Sequence, residues 1–311
     1  MSRGPLTGLV LLAVFSLANA LLSAAVVIYW RAMPHRRATW GADGLLALRL
    51  LPSVGSLVIV FGVVLPGFLA YEPIGMAEVV GPALWILALL SVVPLADGLQ
   101  RTCRAAKATR ALLDYCGSAR DRSAHQNIEI VEVMDPIVAV VGSIHPRMVA
   151  SRRAVSECTD IEFRQIVNHE RAHLERRDNL RLLAIIMSPD ILGWTATGAE
   201  IARRWRLASE FEADERATGA DRAKRVALAA ALIKVARLAI GAERVRPTLS
   251  MPVALDDIDG RVRALLSGPQ SAPSHKAVGW APAVVALAAV AIVAAMHPVH
   301  RFVELLVALG G

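Results

Sequence analysis

From Leu6 to Trp30 the chain carries no charged residue. A bilayer core takes about 20 consecutive apolar residues of helix to cross, so this run is long enough to span one. Ala18-Asn19-Ala20 resembles a signal-peptide cleavage site. The apolar run continues past it to Trp30, which favours an uncleaved membrane helix. Two runs of the same kind follow, Pro52 to Tyr71 and Val79 to Ala96, and a fourth, rich in Ala and Val, lies at Ala277 to Met296. Small residues let membrane helices approach closely. Pro66 and Pro94 are tolerable inside such runs, where neighbours take up the freed carbonyls. A composition of 55% hydrophobic residues is too apolar for an ordinary soluble chain of this length.

The loops orient the spans. Arg31, Arg36, Arg37 and Arg49 lie between the first and second, against Asp43 alone. Glu72 and Glu78 lie between the second and third, and Arg101, Arg104, Lys107 and Arg110 follow the third. Positive charge stays on the cytoplasmic side. The first loop and everything from residue 101 to 276 are therefore expected in the cytoplasm, with the N-terminus, the Glu72 loop and the C-terminus outside an inner (cytoplasmic) membrane. The formal net charge of +7 suits an anionic inner leaflet. There is no basic patch with interleaved aromatics, so direct nucleic-acid binding is not expected. Cys103, Cys116 and Cys158 contain no C-x-x-C and give no disulfide framework. The division that follows is a membrane domain at 1–100 (spans at about 6–30, 52–71 and 79–96), a cytoplasmic domain at 101–276, a fourth span at 277–296 and an outer tail at 297–311.

Within the cytoplasmic part, His169-Glu170-Arg171-Ala172-His173 reads H-E-x-x-H. On a helix, residues four apart share one face about 6 Å apart, so His169 and His173 can offer two imidazoles to one metal ion. Glu170 is rotated about 100° from His169 and can face a metal-bound water instead. Thr159-Asp160-Ile161-Glu162 has the form of a capping box, and no Pro or Gly interrupts from Asp160 to Leu180. A catalytic zinc site needs a third protein ligand and an open position. Glu210 in Glu210-Phe211-Glu212-Ala213-Asp214 can supply it, with Asp214 orienting a ligand histidine from behind. The bland reading of that pair is an acidic helix face partnered by Arg203, Arg206 or Arg216. Asp178 is either another partner of a ligand histidine or a surface ion pair with Arg177 or Arg181.

The remaining pattern surrounds these motifs. Arg101 to Tyr115 continues the third span as helix, and 117–126 reads as a polar turn. Asn127 to Val133 and Pro136 to Val141 read as strands separated by a turn at Met134-Asp135-Pro136, and Met148 to Ala150 as a third. A strand edge there can hold an extended peptide by main-chain hydrogen bonds, or the strands can simply pack the back of the zinc helix. Leu182 to Trp194 is too short to span and is expected as a buried or re-entrant helix against the membrane domain. Helices are expected at 198–218, with Ile201, Trp205, Ala208 and Phe211 as core, at 221–240 and at 255–266. A loop is expected at 242–254 and a Pro/Ser linker at 268–274. Phe302, Leu305, Leu306 and Leu309 fit a short interfacial helix or an unstructured tail.

The chain resembles the BlaR/MecR-type membrane metallopeptidases, and more distantly the HtpX-type ones, over nearly its whole length. The resemblance is carried by Gly142 with Pro146, by His169-Glu170-x-x-His173 followed by Arg177-Asp178-Asn179, and by Glu210-x-x-x-Asp214. It implies a mainly α, multi-pass membrane protein of four spans, with a cytoplasmic zincin-like α+β metallopeptidase domain between spans three and four. It implies one Zn²⁺ held by His169, His173 and Glu210 in gluzincin fashion, Glu170 as catalytic base, and a protein substrate such as a transcriptional repressor or the chain itself. Arg171 and the filling Phe211-Glu212-Ala213 are minor departures from that pattern. The family's receptors carry a penicillin-binding sensor domain after span four. Only 297–311 follow here, so that role is not expected to carry over, and a separate sensor protein is a candidate partner. The second donor for the oxyanion is sought among His145, Arg203 and Arg206; His145 also suits the turn before Pro146. The competing functional reading is a non-catalytic membrane signalling or scaffold protein with a structural zinc site. An intact Glu170 favours the peptidase, because a structural site has no use for that carboxylate.

Overall fold

The computed structural model describes residues 3–35, 40–71, 81–117, 120–125, 128–133, 136–240 and 257–268. The expected fourth span, the tail, the Glu72 loop, the 242–254 loop and nearly all of the linker lie outside them. The protein is mainly helical. Among the described residues, three stretches are long and apolar enough to cross a membrane: Pro5–Ala32, Ala42–Ala70 and Pro82–Cys116.

The first is a single helix, α1 (Arg3–Ala32). The second starts at Ala42, well before the expected Pro52, as α2 (Ala42–Ile59). Gly41 is extended and ends the preceding segment, and Asp43 sits in the first turn, where a carboxylate favours the helix N-terminus. Arg49, expected as a loop charge, is therefore helical and buried. A π-helical turn at Val60–Val64 leads into α3 (Leu65–Tyr71). It falls directly before Pro66, whose missing N–H leaves one helical carbonyl without its partner. The third span and the expected 101–115 helix are one element, α4 (Pro82–Gly117).

Four strands follow: β1 (Arg120–His125), β2 (Ile128–Val131), β3 (Val138–Val141) and β4 (Arg147–Ser151). The polar stretch expected as a turn at 117–126 is thus largely a strand, held by antiparallel pairing with β2 and not by any apolar alternation of its own. The sheet order is β1-β2-β4-β3. The turn expected between β2 and β3 at Met134-Asp135 lies outside the described residues, and the two strands do not pair. β4 lies between them, parallel to β2 and antiparallel to β3, which leaves β3 at an edge. Ile128, Ile130, Val138, Val140, Met148 and Ala150 face one core, while Val131, Ala139, Val141 and Val149 face another with Leu112 and Cys116 of α4. Both faces are covered, which accounts for the near-continuous Ile/Val runs.

After a short α5 (Arg152–Glu157) comes α6 (Asp160–Arg176). The capping box at Thr159 and Glu162 is formed in both directions. The helix does not continue to Leu180. Arg177 adopts a left-handed conformation (φ 55°), and α7 (Asp178–Met187) starts in a new direction. Next come a 3₁₀ turn at Ile191–Trp194, α8 (Ala196–Thr218), α9 (Arg222–Ile240) and α10 (Ile258–Ser267). Ile166 and Val167 of α6 pack with β2 to β4, α9 and α10. Trp30, Leu45, Leu182, Leu192, Ile201 and Trp205 form one cluster, so α1 and α2 share a core with α7 and α8.

Candidate metal centre

The helical spacing of His169 and His173 puts their Nε2 atoms 3.1 Å apart, and both side chains are buried. Glu210, about four turns into α8, brings Oε2 to 3.5 Å from His169 Nε2 and Oε1 to 3.7 Å from His173 Nε2. One ligand atom from each of the three residues lies within 4.8 Å of the others, so the group could hold a metal ion. An ion with tetrahedral ligands at 2.0–2.1 Å sets them about 3.3 Å apart, close to the observed separations. Glu210 Oε2 is buried and lies 2.6 Å from Arg261 Nη1, so this oxygen already faces a cationic side chain, and Oε1 is the oxygen nearer His173 Nε2.

Two carboxylates fix the imidazoles from behind. Asp178 Oδ2 lies 2.9 Å from His173 Nδ1, and Asp214 Oδ1 lies 2.9 Å from His169 Nδ1. Each ring is turned so that Nε2 faces its neighbour, the usual service of carboxylates behind ligand histidines. Asp178 also takes Arg176 at 3.3 Å and Arg181 at 3.8 Å, so it is both the orienting group and an ion-pair partner.

Glu170 is buried on the same helix and accepts from the main-chain N–H of Val140 on β3 at 3.0 Å. Asn179 donates to the Val140 carbonyl at 2.8 Å and to the Gly142 carbonyl at 3.0 Å. The edge strand is thereby tied to the site as well as packed behind α6. Gly142 has φ +94°, and a Cβ there would come within 3.0 Å of the His145 carbonyl, so this turn requires glycine.

Arg261 of α10, absent from every expectation above, completes the buried cluster. It is 1% exposed. Nε and Nη2 donate to Asp214 at 2.8 and 2.7 Å, Nη1 lies 2.6 Å from Glu210 Oε2, and Nη2 lies 3.5 Å from His169 Nε2. A signal was present in the sequence. Ile258, Arg261, Val262 and Leu265 recur at helical spacing, so the arginine falls on the apolar stripe of a short helix and needs a buried partner.

Electrostatics follow from this crowding. Burial pulls the His169 pKa down, but Asp214 and Glu210 outweigh it and raise it to about 10. Burial would raise the Glu210 carboxyl, yet Arg261 and the two histidines bring it down to about 2. Asp214 is likewise held low by Arg261 against burial. Glu170 goes the other way. Burial lifts it above the ordinary carboxylate value, the histidines offset part of that, and Glu210 adds to it.

The remaining candidates lie elsewhere. His145 is exposed. Arg203 is 65% exposed at its side chain and pairs with Glu200, and Arg206 is exposed one turn before Glu210. No described hydrogen bond or ion pair joins any of them to the ligands, and Arg261 is the cation that stands there. Glu212 is taken by Arg176 and by the N–H of Ala42. No protein-family model matches the sequence, and no curated protein matches it.

Proposed function

We propose that the protein is a membrane-bound zinc metalloendopeptidase of the BlaR/MecR-like kind, cutting a protein substrate at or near the cytoplasmic membrane face. The observation that carries this reading is the buried His169–His173–Glu210 group with the Glu170 carboxylate beside it. Zinc is the ion inferred, because two imidazoles and one carboxylate are its usual donors where a position is left for water. When bound, zinc supplies a Lewis acid that polarises a carbonyl and acidifies water.

The chain's own groups divide the remaining work. Glu170, its carboxyl held high by burial, takes a proton from water at its free oxygen and returns it to the leaving amine. Asp178 and Asp214 keep the imidazoles in one orientation. The outer edge of β3 at Val140 meets Glu170 on its N–H and Asn179 on its carbonyl, and an extended substrate would take these main-chain groups by displacing both side chains. Arg261, paired with Asp214 and Glu210, holds a buried positive charge beside the ligands and fixes both carboxylates against the histidines. A repressor-type substrate or self-cleavage fits the orientation expected from the loop charges.

The test uses the purified full-length protein in detergent with a quenched-fluorescent peptide library, alongside its own integrity on gels. Wild type cleaves, chelation stops it, and Glu170→Gln retains metal but is slowed by about 10²–10⁴-fold. Equal cleavage by Glu170→Gln would overturn the reading.

A further inference from the structure

We propose that α2 positions the metal centre from within the membrane, so that a displacement of α2 is felt at Glu210. This deepens the metallopeptidase reading and rests on its metal site.

Two polar ties join α2 to the metal-bearing helices. The deeper one is a buried ion pair. Arg49 Nη1 donates to both Asp190 oxygens at 3.0 and 2.8 Å, with side-chain exposures of 2% and 0%. Ser53 donates to Asp190 at 2.5 Å, and the Gly193 N–H does so at 2.8 Å. Every Asp190 contact therefore serves either α2 or the 3₁₀ turn that leads into α8. A Cβ on Gly193 would come within 2.8 Å of Arg49 Nη2, so the turn and the guanidinium are in direct contact. The outer tie is the Ala42 N–H donating to Glu212 at 2.9 Å, two residues from Glu210. Glu212 also binds Arg176, which reaches Asp178, which orients His173. The ties are about 10 Å apart along α2, and they grip α8 at its start and beside its metal ligand.

The other membrane helices hold the same segment. Asn19 of α1 donates to the Pro189 carbonyl at 3.2 Å and accepts from the Ile191 N–H at 3.1 Å. Arg101 of α4 donates to the Ser188 carbonyl at 3.0 Å, and Trp194 donates to Asp97 of α4 at 2.7 Å. Residues 188–194 thus form a re-entrant joint between α7 and α8 whose main-chain groups are satisfied by the bundle. Ionisable residues within membrane helices are costly, and a buried pair is often no more stabilising than apolar residues of similar volume. What the pair does supply is a fixed geometry. From the start of α8 to Glu210 is about 20 Å of continuous helix, so a shift at the joint carries to the ligand.

The experiment loads full-length protein in detergent with Co²⁺ and records its visible absorption, affinity and thermal unfolding. Wild type is compared with Arg49→Met/Asp190→Asn, which removes both charges yet keeps groups for Ser53 and Gly193, and with Arg49→Lys, which keeps the charge but changes the reach. The expected result is recovery of folded double variant with cobalt affinity lowered roughly 10–100-fold and a weakened band, and an intermediate loss for Arg49→Lys. Arg49→Lys carries the same prediction if the double variant cannot be recovered folded. Wild-type affinity and spectrum in the variants would overturn the proposal while leaving the metal site standing. Failure of wild type itself to bind cobalt would remove both together.

Discussion

Asp178 Oδ2 and His173 Nδ1 face each other at 2.9 Å across the break between α6 and α7. The contact exists because Arg177 takes a left-handed conformation, which costs a non-glycine residue about 1–2 kcal/mol. That turn brings the first residue of α7 back onto the last turn of α6. Asp178→Ala removes the group behind the imidazole and leaves Arg176 paired with Glu212. The prediction is metal affinity lowered roughly 10–100-fold with the metal stoichiometry unchanged at saturation, measured by competition with a chromophoric chelator.

The raised pKa of His169 sets a pH dependence. Its ordinary value is 6.5 and its folded value is about 10. A raised pKa means that the protonated form stabilises the metal-free protein fully below pH 6.5, and that this contribution fades as pH rises through about 10. A ligand imidazole must be neutral, so metal binding expels that proton. Apparent metal affinity is therefore expected to rise by up to about tenfold per pH unit across the same window. Thermal unfolding of the metal-free protein should fall between pH 7 and 10, while that of the metal-loaded protein changes less. Parallel curves for the two forms would contradict the assignment of the proton to His169.

Asn179 ties the edge strand to the site through two carbonyls, those of Val140 and Gly142. Asn179→Ala leaves both buried acceptors short of a donor, at a cost of about 1–3 kcal/mol in stability. The histidine–glutamate group does not use Asn179, so metal content should stay at the wild-type level. Peptide cleavage should fall mainly through a higher KM, because β3 loses its register beside Glu170. An unchanged KM would show that the edge strand does not carry substrate.

Much of this was legible in local sequence. Charge-free runs marked the membrane helices, the Thr159–Glu162 box marked the start of α6, and two i, i+4 pairs marked the His169/His173 and Glu210/Asp214 faces. What local pattern could not supply was pairing across long separations. β1 is polar and exists by virtue of its neighbour β2. Arg49 read as a loop charge because its partner, Asp190, lies far along the chain in a segment that also looked merely broken. Arg261 belongs to no motif and reaches His169 only after α10 has folded onto α8. The break at Arg177 occurs at a residue type that seldom adopts that conformation, so sequence carried no stop signal.

The most direct test of the account is the metal content of full-length protein purified in detergent, for wild type, His173→Ala, Glu210→Ala and Glu170→Gln. About one zinc per chain in wild type and Glu170→Gln, with loss in the other two, is the predicted result. A wild type that takes up no zinc when it is supplied, or a Glu210→Ala variant that keeps it, would contradict a centre built from His169, His173 and Glu210.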